Sequence, residues 1–286
     1  MKQLRISLVS VLLAGLNALL SFFGVPCLPN GAKRVDLTKF ELAWHDEFSG
    51  SALNTDVWGI YGGTSPVKRR DGYWDLAQCI VEGGKLHIRT AYIPEGIGAN
   101  PAGWYSCGID TRNSFSQCYG YFEVRAILPA GTDMWAAFWL YCNGVTNENG
   151  AGEDGTEIDV FESPFYEPDR LFKNCVASNM YWNGYGEKGE SWQQGSWGKP
   201  YAVSNPYSVY HTYGLEWNES GYTFYIDGME TEHTTAGGVS RVPEFLWLSV
   251  ETDWDNATET GVTGPATDYI IDYVRVYRYA ESAEAQ

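Results

Sequence analysis

From about residue 40 onward the chain breaks into short runs that alternate apolar and polar residues or concentrate β-branched and aromatic ones. Clusters of Gly, Pro, Asn and Asp separate them. The clearest runs are Lys85 to Thr90, Tyr119 to Leu128, Met134 to Tyr141, Tyr222 to Ile226, Phe245 to Val250 and Tyr269 to Tyr277. No long stretch keeps a helical repeat after the N-terminal segment. Asp227-Gly228 directly follows one run and predicts a tight hairpin turn, since both residue types tolerate the left-handed backbone such turns need. Many short strands with regular turn punctuation predict an all-β fold, a jelly-roll sandwich of two antiparallel sheets. Tyr185 to Pro206, rich in Gly, Ser, Gln, Trp and Lys, reads as a long surface loop of the kind that lines binding sites.

The N-terminus follows another pattern. Lys2 and Arg5 precede an uncharged stretch from Ile6 to Val25 that ends at Pro26, which reads as an export signal over residues 1–26. The apolar run is long for a signal core and no clean A-x-A site follows, so an uncleaved membrane anchor is the competing reading. Pro26 stands where a lipoprotein signal would want a small residue before Cys27. Residues 27–40 read as a linker, 41–279 as one domain without a composition break, and 280–286 as a tail. Export predicts a secreted protein; retention of the anchor would hold it at the cell surface.

Composition narrows the partners. Acids outnumber bases 36 to 19, a formal charge of −17, and such a field repels phosphate backbones and anionic lipid. Nucleic acid is therefore not expected as a partner, nor a membrane unless the anchor stays. A monomer is expected. Aromatic residues make up 15% of the chain, which suits strands and surfaces carrying flat rings. The cysteines (Cys27, Cys79, Cys107, Cys118, Cys142 and Cys175) show neither a metal-binding CxxC pair nor a dense disulfide framework, and most read as buried thiols.

Candidate chemistry lies in Thr156-Glu157-Ile158-Asp159-Val160-Phe161-Glu162-Ser163-Pro164. In a strand, Glu157 and Asp159 share one face and Ile158 and Val160 the other. Strict alternation would send Glu162 into the core, where an unpaired carboxylate is costly. One β-bulge near Val160-Phe161 returns Glu162 to the face of Glu157 and Asp159. Three acids on one face repel one another and split their pKa values, as glycoside hydrolysis requires of a nucleophile and a proton donor. The spacing alone is not diagnostic in so acidic a chain; a solvated charged face or part of a calcium site would look the same.

The segment resembles the bulged E-x-D-x-x-E signature of glycoside hydrolase family 16, in its laminarinase-like branch. The resemblance extends through Trp44-His45-Asp46-Glu47-Phe48-Ser49-Gly50, Gly84-Lys85-Leu86, Tyr119 to Arg125, Trp135 to Leu140, His211 to Trp217 and Asp272 to Tyr277. It implies a jelly roll with a concave substrate cleft, a catalytic domain over 41–279 and endo-acting hydrolysis with retention. It makes Glu157 the nucleophile, Asp159 its assistant and Glu162 the acid/base. Trp135 matches a tryptophan beside the catalytic subsites. Trp139, Arg112 and Trp254 are further candidates for substrate binding, Trp139 with burial in the core as the alternative. No cofactor is implied for catalysis. A structural calcium ion occurs in many members, and Glu47 and Asp272 are the acids in matching strands. His211 reads as a structural histidine.

The expected activity is a secreted endo-β-glucanase acting on β-1,3- or mixed β-1,3-1,4-glucan. The alternatives are an algal galactan hydrolase for agar or carrageenan, a transglycosylase using the same intermediate, and a non-catalytic carbohydrate-binding jelly roll.

Overall fold

The computed structural model describes residues 8–23, 25–61, 63, 65–130, 134–163, 174–185, 194–252 and 267–281. Among them, period-two alternation produces two packed sheets with no closed barrel, the jelly-roll arrangement. The seven-stranded sheet runs in the order Gly195–Ala202, Cys175–Trp182, Glu157–Glu162, Met134–Tyr141, Phe245–Thr252, Gly108–Asp110 and Gly59–Ile60. At the centre of the twelve-stranded sheet lie His211–Asn218, Gly120–Ile127 and Thr267–Tyr279, which pair antiparallel in that order.

The inner faces supply the core. Ile158, Val160, Phe161, Phe138, Leu140, Leu246, Leu248 and Val250 from one sheet meet Phe122, Val124, Tyr213, Leu215, Trp217, Val274 and Val276 from the other, all buried in one cluster. Burying side chains of this size contributes about 1.5–3 kcal/mol each. The Asp227-Gly228 turn forms as its sequence predicts: Ile226 pairs with Met229 and both turn residues take positive φ. His211 is held at both ring nitrogens, Nδ1 against Asp227 at 2.7 Å and Nε2 against the Ser204 carbonyl at 2.7 Å, a structural role.

Of the stretch expected to be a surface loop, residues 186–193 lie outside the described residues, and one part departs from that reading. Gly195–Ala202 is a strand, paired over its full length with Cys175–Trp182 at the edge of the seven-stranded sheet. The outer side of this strand is bridged at Tyr201 by Cys27, whose N–H donates to the Pro200 carbonyl at 3.0 Å, so the N–H that proline lacks is not one the ladder with Cys175–Trp182 needs. Trp197 stacks on Phe224 of the opposite sheet, centroids 5.6 Å apart, and so packs between the layers.

Near the N-terminus, Leu8–Phe22 is a helix that exposes Val9, Val11, Leu12, Leu16, Leu19 and Phe22. No helix among the described residues is long and apolar enough to cross a membrane.

Candidate active site

The strand Glu157–Glu162 has one irregular step. Phe138 on the neighbouring strand pairs with Phe161, yet the next residue, Trp139, pairs with Asp159, so Val160 is passed over. The register with Cys175–Trp182 breaks at the same place. As a result Val160 and Phe161, adjacent in sequence, are both in the core with Ile158, while Glu157, Asp159 and Glu162 all line one cleft. The cleft has a volume of about 630 Å³.

Register across the sheet explains what surrounds the acids. One row carries Asp159, Trp139, Trp247 and Asp110 across four strands. The next carries Glu162, Ala137, Ser249 and Gly108, a low trough of small residues. Gly108 is needed there because a Cβ would come within 2.6 Å of the Trp74 ring. Beyond the trough, Trp135 pairs with Glu251.

Each acid has distinct partners. Tyr185 donates its hydroxyl to Glu157 Oε2. Glu162 accepts from Trp135 Nε1 at 2.6 Å through Oε1 and from Asn179 Nδ2 through Oε2. Asp159 is almost fully buried between them, and its hydrogen-bonding contact is to Glu162, where the sequence suggested Glu157. Burial pushes Glu157 up to about 7, with the Tyr185 hydrogen bond opposing and the charges of Glu162 and Glu251 adding. Burial also pushes Glu162 up to about 7 against the hydrogen bonds from Asn179 and Trp135. Asp159 is driven well above the carboxylate range by burial and by its two neighbours' charges. Strongly perturbed carboxyls gathered in a cleft are a common feature of sites that transfer protons.

The remaining candidates fall out as follows. Trp139 lines the cleft, half-buried, stacked on Trp247 at 4.9 Å and donating to Ser249 Oγ at 3.1 Å. Arg112 also lines it, 3.5 Å from Asp110 and over the Phe245 and Trp247 rings. Trp254 lies outside the described residues. Tyr61, Trp74, Arg69, Arg70, Tyr141, Trp247 and Glu251 complete much of the lining without having been singled out as candidates, and Tyr185 comes from the stretch expected to line a binding site. Trp247, Ser249 and Glu251 do recur at period two, a signal the sequence carried once that strand's facing was known.

The two acids expected at a structural calcium ion are engaged by cations. Arg275 grips Glu47 with both ends at 2.8 and 2.9 Å and holds its carboxyl below the usual range. Asp272 is paired with Arg125 and lies 3.9 Å from Lys85. Carboxylates already neutralised by arginine do not make a donor set for a hard dication, so these two residues do not fit that role. No group of three or more His, Cys, Asp or Glu suited to a metal occurs among the described residues.

Comparison with known proteins agrees with this geometry. The family model described as the GH16 domain of β-porphyranases A–D matches residues 41–279. A β-glucanase of Rhodothermus marinus is 26% identical over 283 residues, covering 90% of this chain and 92% of the relative. β-Porphyranase B of Zobellia galactanivorans is 27% identical over 249 residues, covering 83% of each. The crystal structure of that porphyranase superposes with a TM-score of 0.67 at 25% identity, over 85% of this chain and 94% of that one. The laminarinase catalytic domain of Thermotoga maritima, at 22% identity, shares the fold with a TM-score of 0.66 over 85% of this chain and all of its own. A family match spanning nearly everything beyond the N-terminal segment, over a strand that aims three acids into one cleft, means that the chain belongs to glycoside hydrolase family 16 and is a glycoside hydrolase.

Proposed function

We propose that the protein is a retaining endo-β-glucanase in which Glu157 is the nucleophile, Glu162 the general acid/base and Asp159 a protonated carboxyl between them. One observation carries the reading: three acids of a single strand open into a cleft while the residues between them are buried in the core. In the first step Glu157 attacks the anomeric carbon and Glu162 protonates the departing glycosidic oxygen. In the second, Glu162 takes a proton from water, which attacks the same carbon and releases Glu157. The step needs one carboxylate and one carboxylic acid together near neutral pH. Two coupled groups pushed up to about 7 supply that state, with one proton held between the pair. Asp159, keeping its own proton, adds no further negative charge between them.

The endo mode rests on the cleft's extent. Its lining runs from Gln194, beside one edge strand of the seven-stranded sheet, to Tyr61, beside the other, so a polymer can lie across every strand. A glucan is favoured by charge. Arg69 and Arg70 share Glu251, Arg112 lies beside Asp110, and the Glu157–Glu162 pair carries one further negative charge, so the cleft has no surplus of positive charge for a sulfated chain. The relative from Rhodothermus marinus bears the name of a β-glucanase. A galactan substrate is the second reading, favoured by the porphyranase family model and by the same three arginines should substrate displace their partners.

Chromatography of the products from laminarin, barley glucan, agarose, carrageenan and porphyran tests both readings. Glucan oligosaccharides of mixed length support the first. Turnover of galactans alone overturns it in favour of the second, and products longer than the starting oligosaccharide reveal transfer. Export of a monomer, driven by the apolar segment behind Lys2 and Arg5, belongs to the same reading. Fractionation of cells expressing the full chain tests it, since retention in the membrane pellet would favour the anchor.

A further inference from the structure

Part of the cleft wall is a small hairpin that carries Arg69, Arg70 and Trp74. Val67–Arg69 pairs with Gly72–Trp74, Arg69 opposite Gly72, leaving Arg70 and Asp71 as the two-residue turn. Arg70 takes φ +48°, a left-handed conformation that costs any residue with a Cβ free energy and persists where surrounding contacts fix it. Those contacts are present. The Asp71 N–H donates to the Thr252 carbonyl at 3.2 Å, and Gly72 sits so close to Thr252 that a Cβ would lie 2.1 Å from its Oγ1. Glu251, the neighbour of Thr252, accepts from Arg69 Nε at 2.6 Å on one oxygen and from Arg70 Nε on the other. The Glu251 side chain is only 8% exposed, so the two guanidinium groups grip a desolvated carboxylate.

Arg70 then reaches further. Its guanidinium lies 4.1 Å from the centroid of the Trp135 ring, and Trp135 donates its indole N–H to Glu162 at 2.6 Å. A guanidinium held over an indole face is attracted by the ring quadrupole and restrains the ring's rotation.

We propose that Arg70, anchored by Glu251, is a positioning residue for the acid/base. It pins the Trp135 ring in the one orientation from which the indole N–H aims Glu162 at the leaving oxygen. The inference rests on the assignment of Glu162 as acid/base. Among the described residues, the groups that face Glu162 are Asn179 and Trp135 as donors, Glu157 and Asp159 on its own strand, Glu251 on Phe245–Thr252, and Arg70 from the hairpin. Removing Arg70 frees the Trp135 ring, removes a positive charge near Glu162 and leaves Glu251 with one counter-charge. Both electrostatic changes act in the same direction and make Glu162 hold its proton to higher pH.

The test uses the full-length enzyme, its best polysaccharide, and a dinitrophenyl glycoside of the smallest oligosaccharide it turns over. With so good a leaving group, the first step needs no proton from Glu162, and the burst of phenol reports that step alone. Arg70→Ala is expected to lower kcat on polysaccharide about 10- to 100-fold with little change in KM, to move the alkaline limb of kcat/KM to higher pH, and to leave the burst rate within about twofold. Arg70→Lys keeps the charge but not the planar guanidinium, so its limb stays and its kcat falls by less. Trp135→Phe keeps an aromatic face and deletes the N–H, and should reproduce the split between substrates even if Arg70→Ala does not fold. Equal losses on polysaccharide and burst, or an unmoved limb in Arg70→Ala, would overturn the proposal. Glu162→Ala serves as the reference. If it retains polysaccharide turnover, the acid/base assignment itself has failed; if it loses turnover while Arg70→Ala does not, only the role of Arg70 falls.

Discussion

The rings of Phe161 and Tyr213 lie 4.3 Å apart between the two sheets, and this contact is what the irregular step in the acidic strand secures. Val160 and Phe161 both turn inward, and Phe161 also meets Tyr269 edge-on at 6.0 Å. The core therefore holds the register that sends Glu162 outward. Phe161→Ala should lower the unfolding free energy by about 3–5 kcal/mol, the usual cost of emptying a large aromatic site. Urea unfolding followed by fluorescence measures it, with an unchanged slope marking a stability effect. A loss under 1 kcal/mol would mean that the contact does not anchor the strand.

Glu157 and Glu162 divide the chemistry, so their variants should fail differently. Glu157→Gln is expected to abolish turnover while oligosaccharide binding stays near normal, because the lost group acts in the transition state. Titration calorimetry beside activity assays reads both quantities. Glu162→Ala should lose polysaccharide hydrolysis, with azide partly restoring turnover of a substrate that carries an activated leaving group. Azide replaces the activated water and forms a glycosyl azide detectable by mass. Normal turnover in the glutamine variant, or no azide product in the alanine variant, would remove the corresponding role.

Tyr185 bears on the acid limb of the pH profile. Burial and the charge of Glu157 push its phenol up, so the hydroxyl keeps its proton and remains a donor. That donation stabilises the carboxylate form of Glu157 and opposes the rise caused by burial. In Tyr185→Phe the opposition disappears and Glu157 ionises only at higher pH. Since the nucleophile must be ionised, the acid limb of kcat/KM should move to higher pH and activity at pH 5 to 6 should fall more than at pH 8. A limb that stays in place would show that the hydrogen bond does not tune the nucleophile.

Much of this site was legible in the sequence. The acid spacing, combined with the cost of burying Glu162, required a register break next to Val160, and the break occurs there. Asp227-Gly228 announced its hairpin by chemistry alone. What stayed hidden depends on contacts between distant segments. Arg69 and Arg70 read as ordinary surface bases until the fold brings them to Glu251, more than 180 residues away in sequence. Trp139 could not be divided between core and cleft because its facing depends on which strand lies beside it. Gly195–Ala202 looked like a loop because Gly, Lys and Pro suit an edge strand as well as they suit a turn. Asp272 and Glu47 looked like metal ligands for the converse reason: their arginine partners sit on other strands.

Glu244 gives the last prediction, one about stability. It is fully buried beside the start of the acidic strand and accepts from the Thr156 N–H at 3.2 Å and the Ser240 hydroxyl at 2.7 Å on one oxygen. Burial pushes its pKa from 4.5 up to about 8, against those two hydrogen bonds. The folded chain thus binds this proton more tightly than the unfolded chain does. The stability it lends is complete below pH 4.5 and is lost as pH rises through about 8. Glu157, Glu162 and Asp159 have raised values too and act in the same sense. Glu244→Gln keeps an acceptor for Thr156 and Ser240 but cannot ionise. Its melting temperature should lie at or slightly below that of the natural chain at pH 5 and above it at pH 9, so the two curves cross. The three cleft carboxyls still titrate, so the variant's curve should decline less steeply without becoming flat. Parallel curves across that range would mean that Glu244 does not change its charge in the folded protein.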